Sequence, residues 1–277
     1  MSVEGRRPQL YLQDTEVGKL PCGDLTAHDP TLELGVRRLL DELVDQEVGY
    51  IEQLYTFGDL VRSRLEPRGA RTLSVAYLGL MESLPKARQV SFYDIFPWED
   101  RRKAWPALVE QAVQSLLQWA VGHSEREWRC RVLFGLDGTP WNPERVLERY
   151  ELLYEAGLVQ EAGGGAELGR SLWADHRRIA ATALTRVRGK LAYRPLVFEL
   201  LPELFTLTEL QTTVEALSGG LLHKQNFRRM VESAGLVELT DHSRTEGRGR
   251  PARLYRFRNE VTAERPAPGV RARPKSG

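Results

Sequence analysis

The chain has 277 residues, 39 Lys and Arg against 38 Asp and Glu, and 42% hydrophobic residues, the composition of a soluble globular protein with one large domain or two. No apolar run approaches the roughly 18 to 20 residues that span a bilayer, and residues 1–8 lack the apolar stretch of a signal peptide. Cys22 and Cys130 are too few and too far apart for a disulfide framework or a zinc site. A cytoplasmic setting fits, with both thiols in or near the core.

In chain order, residues 9–12 read as a short strand. Residues 32–44 read as a helix with Leu32, Val36, Leu39, Leu40 and Leu43 on one side. Strands are expected at 50–55 and 71–80, joined by a loop carrying Gly58, Asp59 and arginines. Phe92, Tyr93, Phe96 and Trp98 form an aromatic cluster. A helix is expected over 106–121 and a strand over 129–136. Asn142-Pro143 signals a helix start, a capping side chain before proline at the first helical position, and that helix runs to 156 and stops at Gly157. Gly163-Gly164-Gly165 reads as a surface loop. Residues 176–191 read as a long helix, apolar at Ile179, Ala183, Leu184 and Val187. Residues 151–159 echo 229–237, and the plainer reading of the echo is a glycine-capped helix entering a strand.

Residues 205–257 follow the order helix, glycine turn, basic helix, strand, basic loop, strand, which is a winged helix-turn-helix. Thr206 and Glu209 make a capping-box pair. Leu207, Leu210, Val214 and Leu217 form one apolar stripe. Ser218-Gly219-Gly220 breaks the helix, because glycine tolerates positive φ. In the next helix Phe227, Met230, Val231 and Ala234 face inward, and His223, Lys224, Gln225, Asn226, Arg228 and Arg229 face outward. Gly235 caps it. Residues 236–239 and 253–257 alternate like a hairpin, and the loop between them carries Arg244, Arg248 and Arg250. Gln225 and Asn226 suit adenine and Arg228 or Arg229 suit guanine or phosphate, while the wing arginines suit phosphate or the minor groove, so duplex DNA is the expected partner. Charge agrees with this. Residues 183–277 hold 17 Lys and Arg against 10 Asp and Glu, which leaves 22 against 28 for residues 1–182. After Phe257 the chain turns rich in proline and arginine, and a disordered tail is expected over 261–277.

Glu52-Gln53-Leu54-Tyr55-Thr56-Phe57-Gly58-Asp59, Ser74-Val75-Ala76-Tyr77-Leu78, Arg188-Gly189-Lys190, Tyr193-Arg194-Pro195 and Phe198-Glu199-Leu200-Leu201-Pro202 together resemble the Nudix-related regulators of NAD metabolism. Phe96-Pro97-Trp98-Glu99-Asp100 and the 141–159 span look closer to the NadQ-type subgroup than to the NrtR-type. The likeness runs from about Leu20 to Phe257. It implies an α/β (α+β) two-domain protein, with a Nudix-like sensor domain over 1–191 and a winged helix-turn-helix over 192–260. It also implies a homodimeric repressor of NAD biosynthesis genes with ATP, NAD or ADP-ribose as effector. Tyr55 and Phe57 are candidates to stack the base, Arg62, Arg64, Arg68 and Arg71 to meet phosphates, and Asp59 and Trp98 to complete the pocket. No metal and no cofactor is required. A working Nudix helix needs several carboxylates to hold Mg²⁺ against a diphosphate. In the corresponding positions only Arg38 and Glu42 match, Leu39 and Leu43 stand at acid positions, and Asp45 replaces the glycine. The domain therefore reads as a sensor without hydrolysis. The alternatives are a Nudix-type hydrolase with an added DNA-binding domain and a nucleotide-controlled adaptor. Only 19 residues precede Leu20, fewer than the family's opening strand and hairpin take, so that strand is expected to be missing, supplied by a partner, or lost to a misassigned start.

Overall fold

The computed structural model describes residues 1–44, 48–58, 73–164, 168–245, 251–264 and 269–270. Strands β1 (Ser2–Glu4) and β2 (Arg7–Tyr11) form an antiparallel hairpin with Gly5 and Arg6 at positive φ, so an opening hairpin fits within the residues ahead of Leu20. β2 also pairs with β5 (Gln89–Ser91), giving the order β1-β2-β5. Strands β3 (Tyr50–Phe57) and β4 (Ser74–Leu80) make a separate antiparallel pair, irregular between Gln53 and Tyr55. The two sheets meet at Met1, whose amine donates to the Gly79 carbonyl at 2.8 Å and whose carbonyl accepts from Met81 N–H at 3.1 Å.

Helix α1 (Leu32–Leu43) starts where the Thr31 hydroxyl accepts from Leu34 N–H. The aromatic cluster forms the short helix α2 (Phe92–Ile95) and a 3₁₀ turn (Pro97–Glu99). Then follow α3 (Ala107–Ala120), α4 (Ser124–Phe134), α5 (Val146–Glu155) and α6 (His176–Leu191). The strand expected over 129–136 is the end of α4. Its buried Cys130, Leu133 and Phe134 recur at three and four residues, a helical spacing that a short apolar run hides. The helix expected from Pro143 begins at Val146, because Asn142 Oδ1 accepts from Glu144 N–H and closes a turn first. Gly157 does end that helix at φ 70°, but a 3₁₀ turn (Gln160–Ala162) follows instead of the strand that the echo suggested.

The C-terminal unit comprises α7 (Leu207–Ser218), α8 (Lys224–Ser233) and the hairpin β6 (Val237–Arg244) and β7 (Ala252–Phe257), with Phe205 joined to Tyr255 by an isolated antiparallel bridge. One apolar core runs through the body and this unit, from Phe92, Phe96 and Trp98 through Leu184 and Val187 to Leu210, Leu217 and Val231. The tail is more ordered than its composition suggests. Val261 lies in the short helix α9 (Val261–Glu264), and Val270 N–H donates to the Leu191 carbonyl at 2.7 Å. Both valines are buried, because each finds an apolar seat that composition cannot reveal. Cys130 is buried as expected, whereas Cys22 is exposed.

Candidate nucleic-acid interface and body cavity

The helix-turn-helix is built from local chemistry. Thr206 Oγ1 accepts from Glu209 N–H at 3.1 Å while Glu209 Oε2 accepts from Thr206 N–H at 2.6 Å, so two orphan amides of α7 are satisfied. Leu207, Leu210, Val214 and Leu217 are all buried. Gly219 ends the helix at φ 74°, and a Cβ there would stand 2.3 Å from the Glu99 carbonyl oxygen, so only glycine fits. The turn is then pinned by two side chains that sequence reasoning missed. Glu215 Oε1 accepts from Leu222 N–H at 2.9 Å, and Gln211 Nε2 donates to the Leu222 carbonyl at 3.3 Å. Their signal in the sequence was polarity inside a helix stripe, which a solvated face also produces.

Phe227 and Val231 anchor α8 from below. His223, Lys224, Gln225, Asn226, Arg228 and Arg229 are exposed, and their side chains have no hydrogen-bond or ionic partner among the described residues. That is a helix face with six polar side chains left to water. Arg253 on β7 is exposed in the same condition, although sequence reasoning took it only as a strand residue. Arg244 differs from the expectation. It is braced against the protein, its Nη1 2.6 Å from Glu209 Oε1 and its Nη2 donating to the Leu204 carbonyl, because β6 returns past the cap of α7. Arg248 and Arg250 lie outside the described residues.

In the body, Tyr55, Phe57 and Trp98 are the expected effector residues that fall among the described residues. Asp59, Arg62, Arg64, Arg68 and Arg71 lie outside the described residues. Tyr55 is 65% exposed and stands edge-on to the buried Phe57, with ring centroids 5.5 Å apart. Trp98 is corrected from pocket wall to core. It is fully enclosed, packed edge-on to Phe96 at 5.7 Å with the Arg177 guanidinium above its ring, since so large an apolar side chain gains most by leaving water. A cavity of about 570 Å³ does lie in the body, under α1 and over β3, β4 and α6. Leu39, Leu40 and Leu43 line it together with Leu54, Leu78 and Ala183. At its polar end His176 Nδ1 accepts from Leu20 N–H at 2.9 Å, and Lys19 Nζ lies 5.0 Å from the centre of the Trp173 ring.

Leu39 and Leu43 thus give the cavity hydrocarbon walls. Arg38 and Glu42 pair with each other at 3.0 Å on the outer face, where Arg38 also forks onto Asp29. Arg38 beside it holds the Asp29 carboxyl well below the usual carboxylate range. Among the described residues no group of three His, Cys, Asp or Glu side chains is placed to hold a metal ion.

Residues 197–257 match the family model of the NrtR DNA-binding winged helix domain. Over 83 residues, 30% of this chain, the sequence is 46% identical to the ADPR responsive transcriptional repressor NtrR of Acinetobacter baylyi, and the match spans about a third of that protein, 33% of its length. The crystal structure of Shewanella oneidensis NrtR complexed with a 27mer DNA shares the fold at a TM-score of 0.56, covering 98% of this chain and 95% of that one at 23% identity. The mixed α/β body, the helix-turn-helix and its hairpin are accounted for together: the chain carries an NrtR-type DNA-binding winged helix at its C-terminal end, on a fold of the NrtR type.

Proposed function

We propose that the protein is a transcriptional repressor of NAD biosynthesis genes that binds duplex DNA as a homodimer and is controlled by an adenine nucleotide. The observation that carries this reading is the unpartnered face of α8, on a winged helix that matches the NrtR domain. Side chains without protein partners at the start of a helix are free to exchange water for base edges and phosphates. Lys224, Gln225, Asn226, Arg228 and Arg229 read the groove, with His223 at its rim, and Arg248, Arg250 and Arg253 hold the flanking backbone. A dimer would set two such helices on a two-fold operator.

The name of the Acinetobacter relative favours ADP-ribose over ATP and NAD as the effector. In this reading residues 1–191 sense the nucleotide and residues 192–260 bind DNA. The Tyr55 to Asp59 segment and Arg62, Arg64, Arg68 and Arg71 make the effector contacts. The body does not hydrolyse its ligand, because Leu39 and Leu43 offer Mg²⁺ no oxygen. No described helix is long and apolar enough to cross a membrane, and the proposed setting is the cytoplasm.

Gel-shift titration tests this, with the protein's own upstream DNA and promoters of NAD pathway genes, in the presence of ATP, NAD or ADP-ribose. Sequence-selective retardation that ADP-ribose alters is the expected result. Binding equal on all duplexes would overturn the regulator reading. Metal-dependent release of product from ADP-ribose or NADH, abolished by Glu42→Gln, would restore the hydrolase.

A further inference from the structure

The last turns of α6 place Arg186, Arg188 and Lys190 at alternate positions, and the three reach in two directions. Arg186 and Lys190, four residues apart, both meet Glu52 of β3, at 2.5 and 2.6 Å from its Oε1. Glu52 Oε2 also accepts from the Tyr50 hydroxyl at 2.6 Å. Arg188 points the other way and is closed off from solvent, with its side chain 1% exposed. There it pairs with the Glu99 carboxylate, donates through Nη2 to the Glu99 carbonyl at 3.2 Å, and donates through Nε to the Leu217 carbonyl at 2.8 Å. Arg149 of α5 grips the same carboxylate from the far side through Nε at 2.6 Å and Nη2 at 2.9 Å.

The end of α7 is therefore capped by the body. A helix leaves its last carbonyls without intrahelical donors. Here Tyr93 Oη donates to the Ala216 carbonyl, Arg188 to that of Leu217, and Arg101 N–H to that of Gly219 at 2.8 Å. Gly219 has no room for a side chain against Glu99. The next residues are the turn that sets the angle of α8. Close-packed, fully bonded contacts of this kind do not stretch; they either break or carry their partner along.

We propose that α6 is a coupling rod between β3 and the helix-turn-helix. A change at Glu52 and Tyr50 is delivered through Arg188 and Glu99 to the turn that aims the recognition helix. The signal that travels along it rests on the sensor reading above, but the mechanical link does not. β3 runs from Tyr50 to Phe57, straight into the segment assigned to the effector, so the rod joins one proposed site to the other.

Hydrogen exchange on the full-length protein tests the link without any ligand. Glu52→Gln keeps the bond to Tyr50 and removes the charge that holds Arg186 and Lys190. Exchange of the 216–224 amides should then quicken, although residue 52 touches none of them, and Lys190→Gln should give the same signature in a second background. Arg129→Met, which breaks a surface pair with Glu155, is the control and should leave those amides unchanged. Unchanged exchange at 216–224 in both Glu52→Gln and Lys190→Gln overturns the rod. A second measurement takes operator affinity with and without ADP-ribose. The nucleotide effect should shrink in Glu52→Gln by about two- to thirty-fold, the usual reach of a change along such a route. A wild-type protein whose operator affinity ignores the nucleotide overturns the sensor reading, while the exchange result still decides the rod.

Discussion

Helices α1 and α8 have similar amphipathic patterns and opposite fates. On α1 both arginines are held by neighbouring carboxylates: Arg37 bonds Glu33, and Arg38 bonds Asp29 and Glu42. Its apolar face, with Leu39 and Leu43, lines the body cavity. On α8 the apolar face is anchored by the buried Phe227 and Val231, and the polar side chains at 223–226, 228 and 229 bond nothing among the described residues. Charges that already have partners shape the fold. Charges held only by water are available to a polyanion, which replaces that water and releases its own counterions. Helix α1 belongs to the first kind and α8 to the second.

The largest expected effect comes from the deepest of the satisfied charges. Glu99→Gln would leave the guanidiniums of Arg149 and Arg188 facing each other without a counter-charge in a site closed to water, at a cost of about 3–5 kcal/mol in urea unfolding. A loss near zero would mean that water reaches the pair. The same site sets an acid limit. Burial pushes the Glu99 carboxyl up, yet Arg149 and Arg188 outweigh it and hold the group below its usual value. The depressed value means that its contribution is complete above the unfolded-state value of about 4.3 and is lost as pH falls below it. Fluorescence of Trp141, whose ring lies 3.8 Å from the Arg149 guanidinium, should stay flat from neutrality to that range and then change.

Next comes the free face. Arg228→Ala and Arg229→Ala should each weaken operator binding by about 1–3 kcal/mol where they read a base, and flatten the salt slope where they hold phosphate. Fluorescence anisotropy on a labelled operator measures both, and the melting temperature should not move. Operator affinity unchanged in both variants would put α8 in the same class as α1. A smaller loss is expected from Thr206→Ala, about 1 kcal/mol of stability through the missing cap of α7, read in thermal unfolding. The smallest belongs to the α1 surface: Glu33→Gln breaks an exposed pair worth at most about 0.5 kcal/mol and should leave DNA affinity as it was.

Local chemistry made the winged helix legible. A capping box, a stripe at three and four, a glycine at positive φ and a hairpin all act within a few residues, and α6 runs over the same residues that its apolar spacing predicts. The same reading failed on α4, where the spacing of Cys130, Leu133 and Phe134 lay inside a short apolar run that also suits a strand. It failed on Trp98 and Arg244, whose partners come from other elements.

What the sequence by itself determined is therefore what depends on near neighbours: the order of elements at the C-terminal end, the outward face of α8, and the apolar stripe of α1 that holds Leu39 and Leu43. What only the tertiary structure decided is which charges are free. Glu99 meets Arg149 across 50 residues and Arg188 across 89, and nothing in the local pattern distinguishes these three from solvated charges. Burial of an ion is tolerated only where opposite charge and hydrogen bonds converge on it. That convergence belongs to the packed chain, and it seats the helix-turn-helix on the body.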